Sequence, residues 1–86
     1  MDVDQGLQTL TRFLKEIKGK HVSDVLEDLL TPKEITELAE RIRILQMLEQ
    51  GKPQREIAND LHISVTTVSR GSRVLQYGTK KIKKYL

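Results

Sequence analysis

Residues 54–75 read QREIANDLHISVTTVSRGSRVL, and the spacing of their apolar positions decides the fold. Ile57, Ala58 and Leu61 fall one, three and four apart, so they share the inner side of a short helix from about Gln54 to Leu61. The chain must then turn sharply at His62-Ile63. No glycine is available there, so His62 is expected to adopt the left-handed conformation at some cost. Ser64 is a good capping residue for a second helix, whose inward positions are expected to be Val65, Val68 and Leu75. Two short helices joined by a tight turn form a helix-turn-helix, the arrangement that lays its second helix in the major groove of DNA.

The chemistry of these residues agrees. Thr66, Thr67 and Ser69 are short hydroxyls suited to base edges, thymine methyls or phosphates, and Arg70 and Arg73 add charge further along. Lys52, Gln54 and Arg55 stand at the start of the first helix, with Arg55 and Lys52 near phosphate, while Ser64 and Val65 open the second. Together these ten residues are the expected DNA-facing set. A helix-turn-helix is also merely a way to pack two helices, so the wider charge pattern matters.

Upstream of the pair, Gly51 is expected to stop a long preceding helix, and Thr31-Pro32-Lys33-Glu34 to start it. A hydroxyl, a proline at the first helical position and a glutamate three residues after the cap make a capping box. Between these limits Ile35, Leu38, Ala39, Ile42, Leu45 and Leu48 form one apolar stripe, widened by Ile44 and Met47. Further upstream, Val3, Leu7, Leu10, Phe13, Leu14 and Ile17 recur at helical spacing from Asp2 to Lys18, where Gly19 ends the helix. Ser23 is expected to cap a short helix carrying Val25, Leu26, Leu29 and Leu30. Downstream, Gly78 precedes a basic segment, TKKIKKYL, expected to be a last helix with Ile82 and Leu86 against the body.

The chain has 86 residues, 37% of them apolar and 3% aromatic, with no cysteine. One domain fits this length, and disulfide staples, thiolate metal sites and a cysteine nucleophile are excluded. So small a chain leaves much apolar surface exposed, and the wide stripes on the first and third helices point to an obligate homodimer. No run approaches the roughly 20 apolar residues of a membrane span, and the amino terminus is acidic rather than a basic leader, so the expected location is the cytoplasm, away from membranes. Residues 1–50 carry seven Lys/Arg against ten Asp/Glu, a net −3, whereas residues 51–86 carry eight against two, a net +6. A basic half on an acidic scaffold favours a polyanion docked at one end.

The run 30–75, LTPKEITELAERIRILQMLEQGKPQREIANDLHISVTTVSRGSRVL, resembles the tryptophan repressor family. It has the LTP helix start, the R-x-R of Arg41 and Arg43, a glycine, QRE, and S-R-G-S in the second helix-turn-helix helix. The resemblance implies an all-α, six-helix chain in an intertwined homodimer: residues 1–51 a dimerisation core, 52–77 the helix-turn-helix head and 78–86 a C-terminal helix. It implies a repressor that reads a palindromic operator in double-stranded DNA, with L-tryptophan as corepressor between core and head. On that resemblance Arg41 and Arg70 sandwich the indole, and Arg70 also meets the carboxylate. Thr31 lies near the carboxylate, the carbonyls around Leu29 and Leu30 belong to the partner's wall, and Gly71 leaves room for the ring. A planar guanidinium does stack on an aromatic face and pair with a carboxylate, and glycine does permit close approach.

The chain departs from the family pattern at several points. Val74 stands where the family has a serine that helps hold the ligand's amino group, Pro53 where it has a capping serine, and Ala58 where it has a phosphate-contacting lysine. The linker over 51–54 is one residue shorter. Singly, Arg41 reads as well as a salt bridge to Glu37 or Glu40, and Gly71 as a packing glycine where helices cross. Beside the tryptophan-responsive repressor stand a repressor with another effector or none and, in a different class, a helical protein-interaction module working through the amino-terminal half. Catalysis is least expected. His21 and His62 are far apart in sequence, and neither has a nucleophile or metal-ligand spacing around it.

Overall fold

The computed structural model describes every residue from Met1 to Leu86: five α-helices and two 3-10 turns, with no strand. The helices are α1 Val3–Lys15, α2 Val22–Leu29, α3 Pro32–Glu49, α4 Gln54–Leu61 and α5 Val65–Tyr77. A sixth helix was expected over 78–86. The structure has a 3-10 turn there instead, Lys81–Tyr85, entered through Lys80 in a left-handed conformation (φ 67°). The chain divides into two compact units, Met1–Ile35 and Thr36–Leu86, with the boundary inside the first turns of α3.

In the amino-terminal unit, α1 begins at a capping box that apolar spacing alone does not signal. The Asp2 carboxylate accepts from the Gln5 N–H at 2.8 Å, and the Gln5 side chain accepts from the Asp2 N–H at 3.0 Å. The helix closes three residues earlier than Lys18, because Glu16 and Ile17 donate to the carbonyls three residues back and tighten the last turn. Ser23 does not cap α2. A 3-10 turn, Gly19–His21, leads straight into it, so the helix starts at Val22 and Ser23 already lies within it. No residue of this unit is buried: Leu7, Leu10, Phe13 and Leu14 remain about half exposed along one side of α1.

The expected capping box at the start of α3 is present. Glu34 N–H donates to Thr31 Oγ1 at 3.1 Å, and Thr31 N–H donates to Glu34 Oε1 at 2.9 Å. The Thr31 backbone N–H foremost, and the Thr31 side chain second, hold the Glu34 carboxyl below its ordinary 4.5.

The carboxy-terminal unit contains the core. Ile44, Met47, Ile57, Ala58 and Val68 form one buried cluster, with Leu48, Leu61 and Ile63 packed against it and Leu45 and Leu75 also buried. The two turns that bring α3, α4 and α5 together are made the same way. After α3, Gly51 at φ 85° lets its N–H reach the Leu48 carbonyl while Lys52 N–H reaches Met47. After α4, His62 at φ 56° donates to Asn59 while Ile63 N–H reaches Ala58. Both are paired end-of-helix bonds that satisfy carbonyls left over by the helix, and in the second Ile63 seals the turn by packing on the core. His62 adopts this conformation without glycine's freedom, as the sequence required.

Candidate nucleic-acid interface and effector site

Helix α5 is positioned by its cap. Ser64 Oγ accepts from the Thr67 N–H at 3.1 Å, and the two hydroxyls lie 2.8 Å apart. Its inward face is Val68, Gly71 and Leu75, seated where the sequence put Val68 and Leu75. Val65, expected inward as well, is instead 44% exposed: at the first helical position it precedes the turn that meets the core. It therefore joins the outer surface.

Helical spacing puts Thr66, Arg70 and Arg73 on one line, opposite the buried face, and all three are exposed. Tyr77 continues that line at 82% exposure and was missing from the expected set, because a lone tyrosine near a helix end carries no distinctive pattern. No carboxylate side chain follows Asp60 in the sequence, and neither Arg70 nor Arg73 forms an ion pair. Arg55 is exposed on α4. Lys52 is held by Asp60 at 3.4 Å in an exposed pair, which costs little to exchange for a phosphate.

Four of the predicted contacts are engaged inside the protein. Ser69 Oγ donates to Gln54 Oε1 at 2.7 Å in a half-buried bond that ties α5 to the first residue of α4. Thr67 shares the cap with Ser64. Thus Ser64 and Thr67 make the start of α5, and Gln54 and Ser69 tie it to α4, while Thr66, Arg70 and Arg73 present free side chains.

The residues expected around an effector are placed less uniformly. Arg41 is exposed, makes no ion pair with Glu37 or Glu40, and lies one turn before Ile44 and Leu45 on the side of α3 that α5 crosses. Arg70 precedes the crossing residue Gly71 in sequence, but helical spacing turns it to the outer side of α5. Gly71 is accounted for by the crossing itself: a Cβ there would come within 2.8 Å of an Ile44 methyl and 3.3 Å of Leu48. Ile44 is buried and branched, so its methyl cannot yield cheaply. Val74 is 45% exposed and offers no acceptor. In the other unit, Leu29 is exposed, Leu30 is half-buried, and Thr31 is committed to its capping box. The positive end of α3 already has a carboxylate in Glu34. No three His, Cys, Asp or Glu side chains gather where they could hold a metal ion, and no helix is long and apolar enough to cross a membrane.

Comparison with known proteins converges on one family. The family model described as Trp repressor protein matches residues 5–86. A Trp operon repressor homolog of Mannheimia succiniciproducens is 34% identical over 82 residues, covering 88% of this chain and 80% of that protein. One from Xylella fastidiosa strain M23 is 35% identical over 78 residues, covering 88% and 85%. A Bacillus subtilis protein named YerC is 38% identical over 52 residues, covering 60% and 50%. No solved structure matches. With helix-turn-helix geometry in α4–α5 and a family match over nearly its whole length, the chain belongs to the Trp repressor family.

Proposed function

We propose that the protein is a homodimeric, DNA-binding transcriptional repressor that inserts α5 into the major groove of a palindromic operator. The observation that carries this reading is the outer line of α5. A hydroxyl and two unpaired guanidiniums stand on a helix whose start, angle and rear face are each fixed by named contacts. Rigid support behind free polar side chains is what base readout needs. The dimer is supported by α1, whose Leu7, Leu10, Phe13 and Leu14 stay about half exposed in a single chain, an apolar side that a second copy would cover. The experiment is selection of duplexes from a randomised pool, followed by binding of the enriched palindrome with and without L-tryptophan. Enrichment of a two-fold symmetric sequence supports the repressor, and enrichment of none points to the helical interaction module.

L-tryptophan is the proposed corepressor, supported by the family and by the free guanidiniums of Arg41 and Arg70, whose planes suit an indole and whose charge suits a carboxylate. The second reading, a repressor with another effector or none, is favoured by Gly71, Val74 and Thr31. The first is filled by the protein's own side chains, the second lacks an acceptor, and the third is engaged in a cap. Calorimetry separates them. Under the first reading tryptophan binds with heat, more weakly than to a protein with serine at 74 by roughly tenfold to a hundredfold, and tightens operator binding by the factor that operator tightens tryptophan binding. Under the second, millimolar tryptophan gives no heat and leaves operator affinity unchanged.

A further inference from the structure

The carboxy-terminal segment has a charge pattern that the recognition helix does not use. Lys80, Lys81, Lys83 and Lys84 fall within five residues, all exposed, and none forms an ion pair. The segment carrying them is locally ordered by its own hydrogen bonds. Thr79 Oγ1 accepts from the Lys81 N–H at 3.3 Å, Lys80 sits in the left-handed region, and Lys81–Tyr85 forms a 3-10 turn. Like charges packed this closely, with no acid after Asp60 in the chain, repel one another, so the segment gains from a polyanion.

We propose that this lysine segment is a second DNA contact, a sequence-independent clamp on the phosphate backbone beside the groove entered by α5. It rests on the repressor reading above and adds a site to it. A 3-10 helix rises about 2 Å per residue, so the four ammoniums are spread along roughly 8 Å of axis, a density comparable with duplex DNA's one charge per about 1.7 Å. In sequence the basic residues continue from α5, Arg70 and Arg73, to Lys84 with no acidic side chain between them, and Tyr77 and Tyr85, exposed at 82% and 78%, can serve as further phosphate donors. A lipid surface fits less well. The apolar residues here are few, and Leu86 is half-buried, which leaves no broad apolar face to insert.

The test uses the full chain and a labelled duplex of arbitrary sequence, with affinity measured by anisotropy from about 50 to 200 mM salt. Three proteins are compared: the wild type, one with Lys80, Lys81, Lys83 and Lys84 all changed to Gln, and one with the same four changed to Arg. Circular dichroism and sedimentation confirm that each keeps its fold and assembly. The proposal expects the Gln protein to lose slope in log affinity against log salt by roughly 0.9 per lysine, to bind at least about tenfold more weakly at 100 mM, and the Arg protein to match the wild type. A slope change below one phosphate's share, roughly 0.9, overturns the clamp. If Arg73→Ala still weakens operator binding in that case, the repressor reading stands without it. Absence of any duplex binding by the wild type overturns both. Lysine-dependent sedimentation with anionic phosphatidylserine vesicles, without a change in DNA slope, reassigns the segment to lipid.

Discussion

At single residues the structure shows where local chemistry is under tension. His62 holds φ 56° because the α4–α5 turn needs it, at a cost of roughly 1–2 kcal/mol for an L-residue. Glycine removes that strain but loses more entropy on folding, about 0.4–1 kcal/mol. His62→Gly is therefore expected to stabilise the protein by roughly 0.5–1 kcal/mol, and His62→Val to destabilise it, as read by urea unfolding at unchanged m-value. Glu34 gives a pH signature. Its carboxyl is held below 4.5 by the Thr31 backbone N–H first and the Thr31 side chain second. A carboxylate with a lowered folded pKa contributes stability that is complete above its unfolded value and lost as pH falls through the folded one. Thermal midpoints followed downward from pH 5 should thus fall faster in the wild type than in Glu34→Gln, which keeps a neutral version of the box. Identical profiles would mean that the box is not titrating.

Among elements, the α4–α5 pair is held by the core behind it and by one polar tie in front, Ser69 to Gln54. Ser69→Ala leaves a half-buried carbonyl oxygen without its donor. It should cost about 1 kcal/mol in stability and weaken binding to all operators alike, since the angle of α5 changes and not its reading surface. A shift in preferred sequence in a binding selection would instead return Ser69 to the base-reading set. Elements whose ends carry their own punctuation are legible in the sequence. The bounds of α4 follow from Pro53 and the His62 turn, the start of α5 from Ser64, and that of α3 from Thr31-Pro32 and Glu34. Where two local signals compete, the sequence is ambiguous. Ser23 is a plausible cap, but the preceding 3-10 turn has already begun the helix. The segment TKKIKKYL has helical spacing at Ile82 and Leu86, yet eight residues with four closely spaced ammoniums are too short and too repulsive to nucleate an α-helix. Of the site, residue types are readable and roles are not, because hydroxyls that cap and tie look in sequence like hydroxyls that read bases.

For the whole molecule, the burial is uneven: every fully buried side chain belongs to Thr36–Leu86, while α1 and α2 carry apolar sides with none. A chain that keeps Leu10 and Leu14 half exposed in water is expected to pair. Sedimentation at low micromolar concentration should show a dimer for the wild type and a shift to monomer for Leu10→Lys combined with Leu14→Lys. Identical monomeric profiles for both would refute the dimer. Pairing also bears on function, because two recognition helices related by a two-fold axis require half-sites spaced by about one turn of DNA.

In the proposed function α5 reads DNA through Thr66, Arg70 and Arg73, from a frame made by Ser64, Gln54 and Ser69. The most direct test is the affinity of the wild type and of Thr66→Ala for a selected palindrome and for all its single-base variants at one fixed salt concentration. The expected result is operator binding at least about a thousandfold tighter than binding to arbitrary DNA, with Thr66→Ala relaxing discrimination by roughly 1–3 kcal/mol at one symmetric pair of positions and leaving the others unchanged. A uniform loss across all variants, or affinity that never exceeds that for arbitrary duplex, would contradict it.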